Sequence, residues 1–278
     1  MPRTAYLSWL HCVNDVEVLD HLLSVLSKEM RGSDCRQIQA PTGPVPHLGS
    51  GALLNYWNRI PPLHTAYHPP YLPEILGRLM EPAFETVLYE VEVPESPIRA
   101  KIGPAQLIPF SAQRLSQDLL PLLQSAFPLE ADLPPLDAAG AAFLIRWLSH
   151  FPLQTWLLKL KDQPVGFALL GPDLAQTLKA ARGGKNPLLR LWWEWAKTRP
   201  VRAGRLFFCG VIPEQRRQGL GSILLQHVLQ IGAASGWRTI SLGPLPADSQ
   251  GAKLMEKRGA RPMQRYRLYR SEIRPVYY

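Results

Sequence analysis

The sequence predicts an α/β protein, and three observations carry that prediction. Short apolar runs rich in aromatic and β-branched residues alternate with segments whose apolar residues recur at helical spacing. Gly and Pro stand at the joints, where a strand must turn or a helix must stop. The alternation occurs twice, once in the last third of the chain and once, more weakly, in the first 95 of its 278 residues.

In chain order, "AYLSWL" reads as an apolar strand, and Val16, Leu19, Leu23, Leu26 and Met30 form the stripe of a helix behind it. A short strand and the Gly-Pro break of "QAPTGP" follow. "PPYLPEILGRLMEPAFETVLYEVEV" then reads as a short helix and a strand containing Leu-Tyr. The proline-bearing stretch "VPESPIRA" marks a boundary near residue 96. Beyond it, "PIRAKIGPAQLIPFS" is a strand, and "AQRLSQDLLPLLQSAF" and "AAFLIRWLSHF" are helices. "TWLLKLKDQPVGFALLGPD" is a hairpin that turns at Asp162 and Gln163, ahead of Pro164. Residues 174–200 form a helical insertion carrying Trp192, Trp193 and Trp195, which either pack on the sheet or roof a pocket.

The last third is the clearest. "GRLFFCGVI" is a buried strand, and Leu220, Leu224, Val228 and Ile231 lie on one face of the helix that follows, which Gly236 ends. "RTISLGP" is a strand broken by Gly243 and Pro244. "DSQGAKLMEKRGA" is a short helix capped by Asp248 or Ser249 and closed by Gly259, and "RPMQRYRLYR" is the last strand. This order of strand, helix, strand, helix, strand matches the first 95 residues, which points to an internal duplication. Residues 1–96 are then a truncated copy without its front half, and residues 97–278 a complete unit.

Composition narrows the function classes. With 46% hydrophobic and 19% charged residues the chain reads as globular, and no apolar run reaches the length of a membrane span. The start carries acidic residues and no signal-peptide pattern, so the expected location is the cytoplasm. Cys12, Cys35 and Cys209 are odd in number and form no C-x-x-C pair, and the histidines show no metal-ligand spacing, so no metal is expected. A net charge of +9 makes anionic partners plausible. Without a helix-turn-helix, zinc finger or stacked-aromatic motif, nucleic acid is not the expected one.

Between the best strand and the best helix stands "PEQRRQGLG". Two readings of it remain open: a glycine-bearing turn with its arginines in solvent, or an anion cradle in which bare backbone N–H groups at a helix start close on phosphate oxygens. In its flanking context, "VIPEQRRQGLGSILL" resembles the acetyl-CoA-binding segment of GNAT-type N-acetyltransferases, R/Q-x-x-G-x-G/A, with Arg216, Gly219 and Gly221 in the pattern. The likeness extends over about residues 97–270. It implies a GNAT fold, a mixed central sheet flanked by helices, preceded here by a degenerate GNAT half unit. It further implies that Cys209, Val211 and Ile212 border the pantetheine arm, and that Arg216, Arg217, Gln218, Gly219, Leu220, Gly221 and Ser222 surround the pyrophosphate. The matching place in the first copy, "VNDVEVLD", has carboxylates instead of glycines and should not bind CoA.

The implied reaction is transfer of an acetyl group from acetyl-CoA to an amine, by direct attack in a ternary complex. A backbone N–H near Val211 would stabilise the oxyanion, and Cys209 need not be a nucleophile. The family's frequent Asn and Tyr on the next helix are replaced by Ser249 and Met255, and a thioether cannot protonate a leaving thiolate. Substitute acids are Tyr266 or Tyr269, and candidate bases are Glu194 and Asp173. The acceptor is a small-molecule or peptide amine, a homodimer would cover the apolar strands of the half unit, and a CoA-binding or acyl-CoA-sensing protein without catalysis is the alternative.

Overall fold

The computed structural model describes residues 3–43, 47, 49–95, 104–110, 119–126, 138–148, 150–184 and 186–273. The part before residue 96 comprises β1 (Arg3–Ser8), α1 (Val16–Glu29), β2 (Cys35–Thr42), a two-residue β3 (Ala52–Leu53), α2 (Tyr71–Leu79) and β4 (Glu81–Glu92). Then come β5 (Ala105–Pro109), α3 (Leu120–Ala126), α4 (Ala138–Leu148), β6 (Gln154–Leu160) and β7 (Gln163–Pro172). The insertion holds α5 (Ala175–Ala180) and α6 (Pro187–Ala196). Last come β8 (Ala203–Val211), α7 (Leu220–Ala234), β9 (Thr239–Pro246), α8 (Gln250–Lys257) and β10 (Arg261–Glu272). The front parts of the expected first strand and helix of the second unit, residues 97–103 and 112–118, lie outside the described residues.

Local chemistry explains most of these boundaries. Asp15 caps α1, its Oδ1 accepting the Glu17 N–H at 2.8 Å, and Asn186 caps α6 through the Leu189 N–H at 2.8 Å. Of the two caps proposed for α8, Ser249 is the one used, its Oγ accepting the Ala252 N–H at 3.1 Å. The β6–β7 turn sits one residue earlier than the proline suggested. Lys161 and Asp162 both take positive φ, at 49° and 64°, and Gln163 already pairs with Leu160. Two left-handed residues make the turn whose twist matches the strands it joins.

The ten strands of the described residues join one mixed sheet in the order β1-β2-β10-β4-β9-β8-β7-β6-β5, with β3 beside β10. The order is not that of the chain. β4, from the first copy, lies between β9 and β10 of the second, and β10 in turn lies between β2 and β4 of the first. β4 and β10 run antiparallel, from Arg261 opposite Glu90 to Arg270 opposite Glu81. Strands from before and after residue 96 thus interleave here. β2 and β4 are flanked on both sides by strands of the same chain, while β1 is an edge.

Alternation along the strands sends side chains to two faces. Leu158, Ala168, Leu170 and Leu206 join the core under α7 and α8, while Leu157, Phe167, Leu169 and Phe208 join a core with α3 and α4 on the opposite face. α1 and α2 cover Ala40, Ala52 and Tyr269. No helix among the described residues is long and apolar enough to cross a membrane.

Burial also sets a pH response. His47, His64 and His68 are held neutral down to about 4, chiefly because burial disfavours the charged imidazole. The unfolded chain takes up these protons near pH 6.5. Below that value it binds protons that the folded state refuses, so the sign is loss of stability on acidification. The histidine contribution should be flat above pH 7 and fall between about 6.5 and 4, by up to about 1.4 kcal/mol per pH unit for each histidine. Urea midpoints measured at pH 5, 7 and 8 check this, and equal midpoints at 5 and 7 would contradict it.

Candidate functional site

The site begins with a parallel pair that comes apart. β8 and β9 pair from Ala203 opposite Thr239 to Leu206 opposite Leu242, and there the pairing ends. A register shift against β7 skips Phe207, so β8 bulges where it leaves β9. From Phe208 to Val211 its one strand partner among the described residues is β7. Because the Ile212 N–H donates to Val165 O at 2.9 Å, the antiparallel alternation leaves Val211 and Cys209 in non-hydrogen-bonded pairs with Gly166 and Ala168. Their N–H and C=O groups therefore point away from β7, into the split.

At the mouth of the split the chain turns into α7. Gly219 is the N-cap, in the left-handed region at φ 81°, and it gives α7 no side-chain cap. The first N–H groups of a helix have no partner within it, so they face outward with the positive end of the helix dipole. A Cβ on Gly219 would meet nothing within 4 Å, so the space above these groups is open. Gly221 lies closer to a neighbour. Its Cβ would stand 3.4 Å from Leu254 Cδ2, in ordinary contact with the end of an α8 side chain.

The two arginines differ. Arg216 Nε donates to Val211 O at 3.0 Å and Nη2 to Ala126 O at 2.9 Å, tying the loop to β8 and α3. It satisfies the Val211 carbonyl that the split releases and leaves the N–H of that residue facing inward. Arg217 is exposed with φ 63°. Gln218 bonds Gln215 at 3.0 Å, Leu220 is buried, and Ser222 donates its N–H to Gly219 O at 3.0 Å.

The remaining candidates are spread out. Burial pushes the Cys209 thiol up to about 12, so it stays protonated at neutral pH. Met255 is packed in the core under α7 and α8. Tyr269 lies in the core with α1 and α2, its hydroxyl donating to Pro73 O at 3.0 Å, away from the split. Tyr266 is fully buried with Leu53 and Leu88, and its hydroxyl donates to Gln264 Oε1 at 3.3 Å. Desolvation raises its pKa well above the usual phenol value. Glu194 is exposed and paired with Lys197. Asp173 Oδ1 accepts from Leu63 N at 3.0 Å and Ala175 N at 3.1 Å, fastening a loop of the first copy to the second. Beside it a groove of about 510 Å³ runs between residues 60–65 and 175–183, and no tryptophan lines it. Trp193 packs inward on the core, while Trp192 and Trp195 are exposed.

One residue near the split escaped the sequence reading. Arg205 is fully buried in β8, and Nη2 donates to Gly243 O at 2.7 Å, the first β9 carbonyl past the last rung. A single charge inside the apolar run "GRLFFCGVI" was the signal for it.

The first copy lacks this opening. β1 and β2 stay paired through Ser8 opposite Thr42, and the Trp9 N–H continues the ladder to Thr42 O at 3.0 Å. The Asp15 carboxylate occupies the N-terminus of α1. Asp15→Ala should cost about 1 kcal/mol through loss of this cap, read as a melting temperature lower by about 2–4 °C. An unchanged melting temperature would show the cap to be idle.

A split parallel pair, a bulge and an uncapped glycine-led helix define the class. The model of the acetyltransferase (GNAT) family matches residues 116–260, and the chain belongs to that family. Among solved structures it is similar to a GCN5-related N-acetyltransferase from Sphaerobacter thermophilus, at 15% identity and TM-score 0.57 over 93% of this chain and 69% of that one. It is also similar to a tandem GNAT protein of the clavulanic acid biosynthesis pathway, at 10% identity and TM-score 0.52 over 94% and 71%. A functionally unknown conserved protein from Staphylococcus epidermidis matches at 10% identity and TM-score 0.50 over 93% and 81%. No curated protein sequence matches the chain.

Proposed function

We propose that the protein is a cytoplasmic N-acetyltransferase that uses acetyl-CoA and acts on a small-molecule or peptide amine. Residues 97–278 are the working unit and residues 1–96 a degenerate half unit whose own split is closed. The observation that carries the reading is the split itself: the outward N–H and C=O of Cys209 and the N–H of Val211 line it, directly below the open N-terminus of α7.

These groups fit the cosubstrate. The Cys209 and Val211 backbone would bond the pantetheine amides as a neighbouring strand would. The N–H groups of Gln218 to Gly221 would hold the pyrophosphate, with Arg217 adding charge at the rim. The acetyl thioester supplies an activated acyl carbon. The unprotonated amine adds to that carbon, the adduct nitrogen gives its proton to solvent water, and the C–S bond breaks to release the CoA thiolate. An N–H at the bulge side of β8 stabilises the oxyanion between these events. Cys209 is not required as a nucleophile, because the amine attacks the thioester directly. A thiolate leaving group has a pKa of about 8.5, so it departs without the acid that Met255 cannot supply.

Calorimetric titration of acetyl-CoA into the protein tests the reading, followed by detection of free thiol with a panel of amines. Saturable binding and amine-dependent thiol release are expected. No acetyl-CoA binding overturns the proposal, and binding without release from any amine leaves a CoA-binding protein that does not catalyse.

A further inference from the structure

The deep end of the split holds a charge for which the described residues supply no ion-pair partner. Arg205 has 0% exposure, and its bond from Nη2 to Gly243 O fixes the guanidinium where β8 and β9 separate. Nε and Nη1 have no hydrogen-bond partner. Among the described residues no carboxylate forms an ion pair with it. Asp173 attracts it from farther off, but that carboxylate already serves the Leu63 and Ala175 N–H groups. The Phe207 ring, 5.7 Å away, adds an apolar wall, and His64 nearby is neutral. Burial lowers the Arg205 pKa to about 10, so the group stays charged at neutral pH.

Burying a cation without its counter-ion is strongly unfavourable, and native proteins tolerate unsatisfied buried groups mainly where function needs them. The position suits such a need. Val211 and Cys209 line the outer part of the split, Phe207 bulges next, and Arg205 stands two residues deeper. A thioester lying along Cys209 would direct its acyl group, and the amine that attacks it, toward Arg205. The placement rests on the acyl-CoA reading above.

We propose that Arg205 is a carboxylate-recognition residue, whose free Nε–H and Nη1–H bind a carboxylate carried by one of the reacting ligands. A carboxylate matches one guanidinium charge, whereas a phosphate would bring a second charge that this apolar corner leaves unpaired. The carboxylate arrives either on the acyl group, as in a dicarboxylic acyl thioester, or on the acceptor, as in an amino acid.

The test compares wild type with Arg205→Met, which keeps the stem and drops the charge, and Arg205→Lys, which keeps the charge. In the donor arm, acetyl-CoA and succinyl-CoA are titrated calorimetrically. In the acceptor arm, thiol release from acetyl-CoA is followed with L-leucine against 3-methylbutylamine and L-phenylalanine against phenethylamine. Wild type should prefer the carboxylate-bearing member in one arm, and Arg205→Met should lower that preference ratio by about tenfold or more. Arg205→Lys should retain part of it, which keeps the test informative if Arg205→Met does not fold. Equal ratios in wild type and variants in both arms overturn the proposal and make Arg205 a purely structural cation. If wild type binds neither thioester, the acyl-CoA reading has failed instead. Thermal stabilisation by sodium succinate over sodium chloride at equal ionic strength then decides: an effect lost in Arg205→Met supports carboxylate recognition, and no effect in wild type refutes it.

Discussion

A chain beginning at residue 97 should not reach a cooperative folded state. Such a chain keeps the whole glycine loop, β8, α7 and β9, yet it loses β4, the strand that lies between β9 and β10. β4 pairs with β10 along most of its length and with β9 from Thr86 opposite Pro246 to Glu92 opposite Thr239. It buries Val87, Leu88, Tyr89 and Val91, and its Tyr89 hydroxyl donates to Glu256 of α8 at 3.0 Å. Fully burying side chains of this kind is worth about 1.5–3 kcal/mol each, so four of them approach the roughly 5–15 kcal/mol that holds a whole domain together. The loss also exposes two inner strand edges, which invite aggregation. The expected result is insoluble protein or a heat-capacity scan without a transition. Co-expression of residues 1–96 should restore a soluble complex. A monomeric 97–278 fragment that melts cooperatively near the full-length temperature would refute the argument.

Gly219→Glu should abolish acetyl-CoA binding while leaving the fold in place. A side chain at Gly219 meets no neighbour within 4 Å, so the change costs no clash, only the left-handed backbone at φ 81°. That strain is about 1–2 kcal/mol, and a carboxylate at the N-terminus of α7 offsets part of it through the helix dipole. The same carboxylate would occupy the position proposed for the pyrophosphate and repel it. Affinity should fall by about a hundredfold or more, roughly 2.7 kcal/mol. Gly219→Asn separates the two effects, since Asn tolerates the left-handed region and brings no charge, so it should keep most of the affinity. Equal binding by wild type and Gly219→Glu would remove the α7 N-terminus from the site. A comparable loss in Gly219→Asn would assign the effect to loop geometry instead.

The parts of the site legible in the sequence are those set by neighbours along the chain. Leu220, Leu224, Val228 and Ile231 share a helix face because the helix has 3.6 residues per turn, and all four are buried. Gly219 is demanded by a local backbone turn. Once "LFFCGVI" is a strand, its two-residue period decides which of its groups face one way. The caps at Asn186 and Ser249 are equally local.

Other residues changed meaning when their surroundings were supplied. Arg216 looked like a charge for a ligand, but its guanidinium is spent on Val211 O and Ala126 O, the second of these 90 residues away. Tyr266 and Tyr269 looked alike on one strand. They belong to different cores, because residues three apart on one strand point to opposite faces of the sheet. Asp173 looked like a base and is an anchor for Leu63.

By itself the sequence determined the alternation of strands and helices, the glycine-led start of α7 and the repeat of that order in the first 95 residues. These depend on periodicity, backbone freedom and capping, all of which act over a few residues. Only the tertiary structure decided that β4 and β10 change places between the copies, that β8 and β9 separate after Leu206 while β1 and β2 do not, and that Arg205 ends up buried at the point of separation. Strand pairing is a contest among distant partners, settled by the total burial that each pairing achieves, and no short stretch of sequence contains that sum.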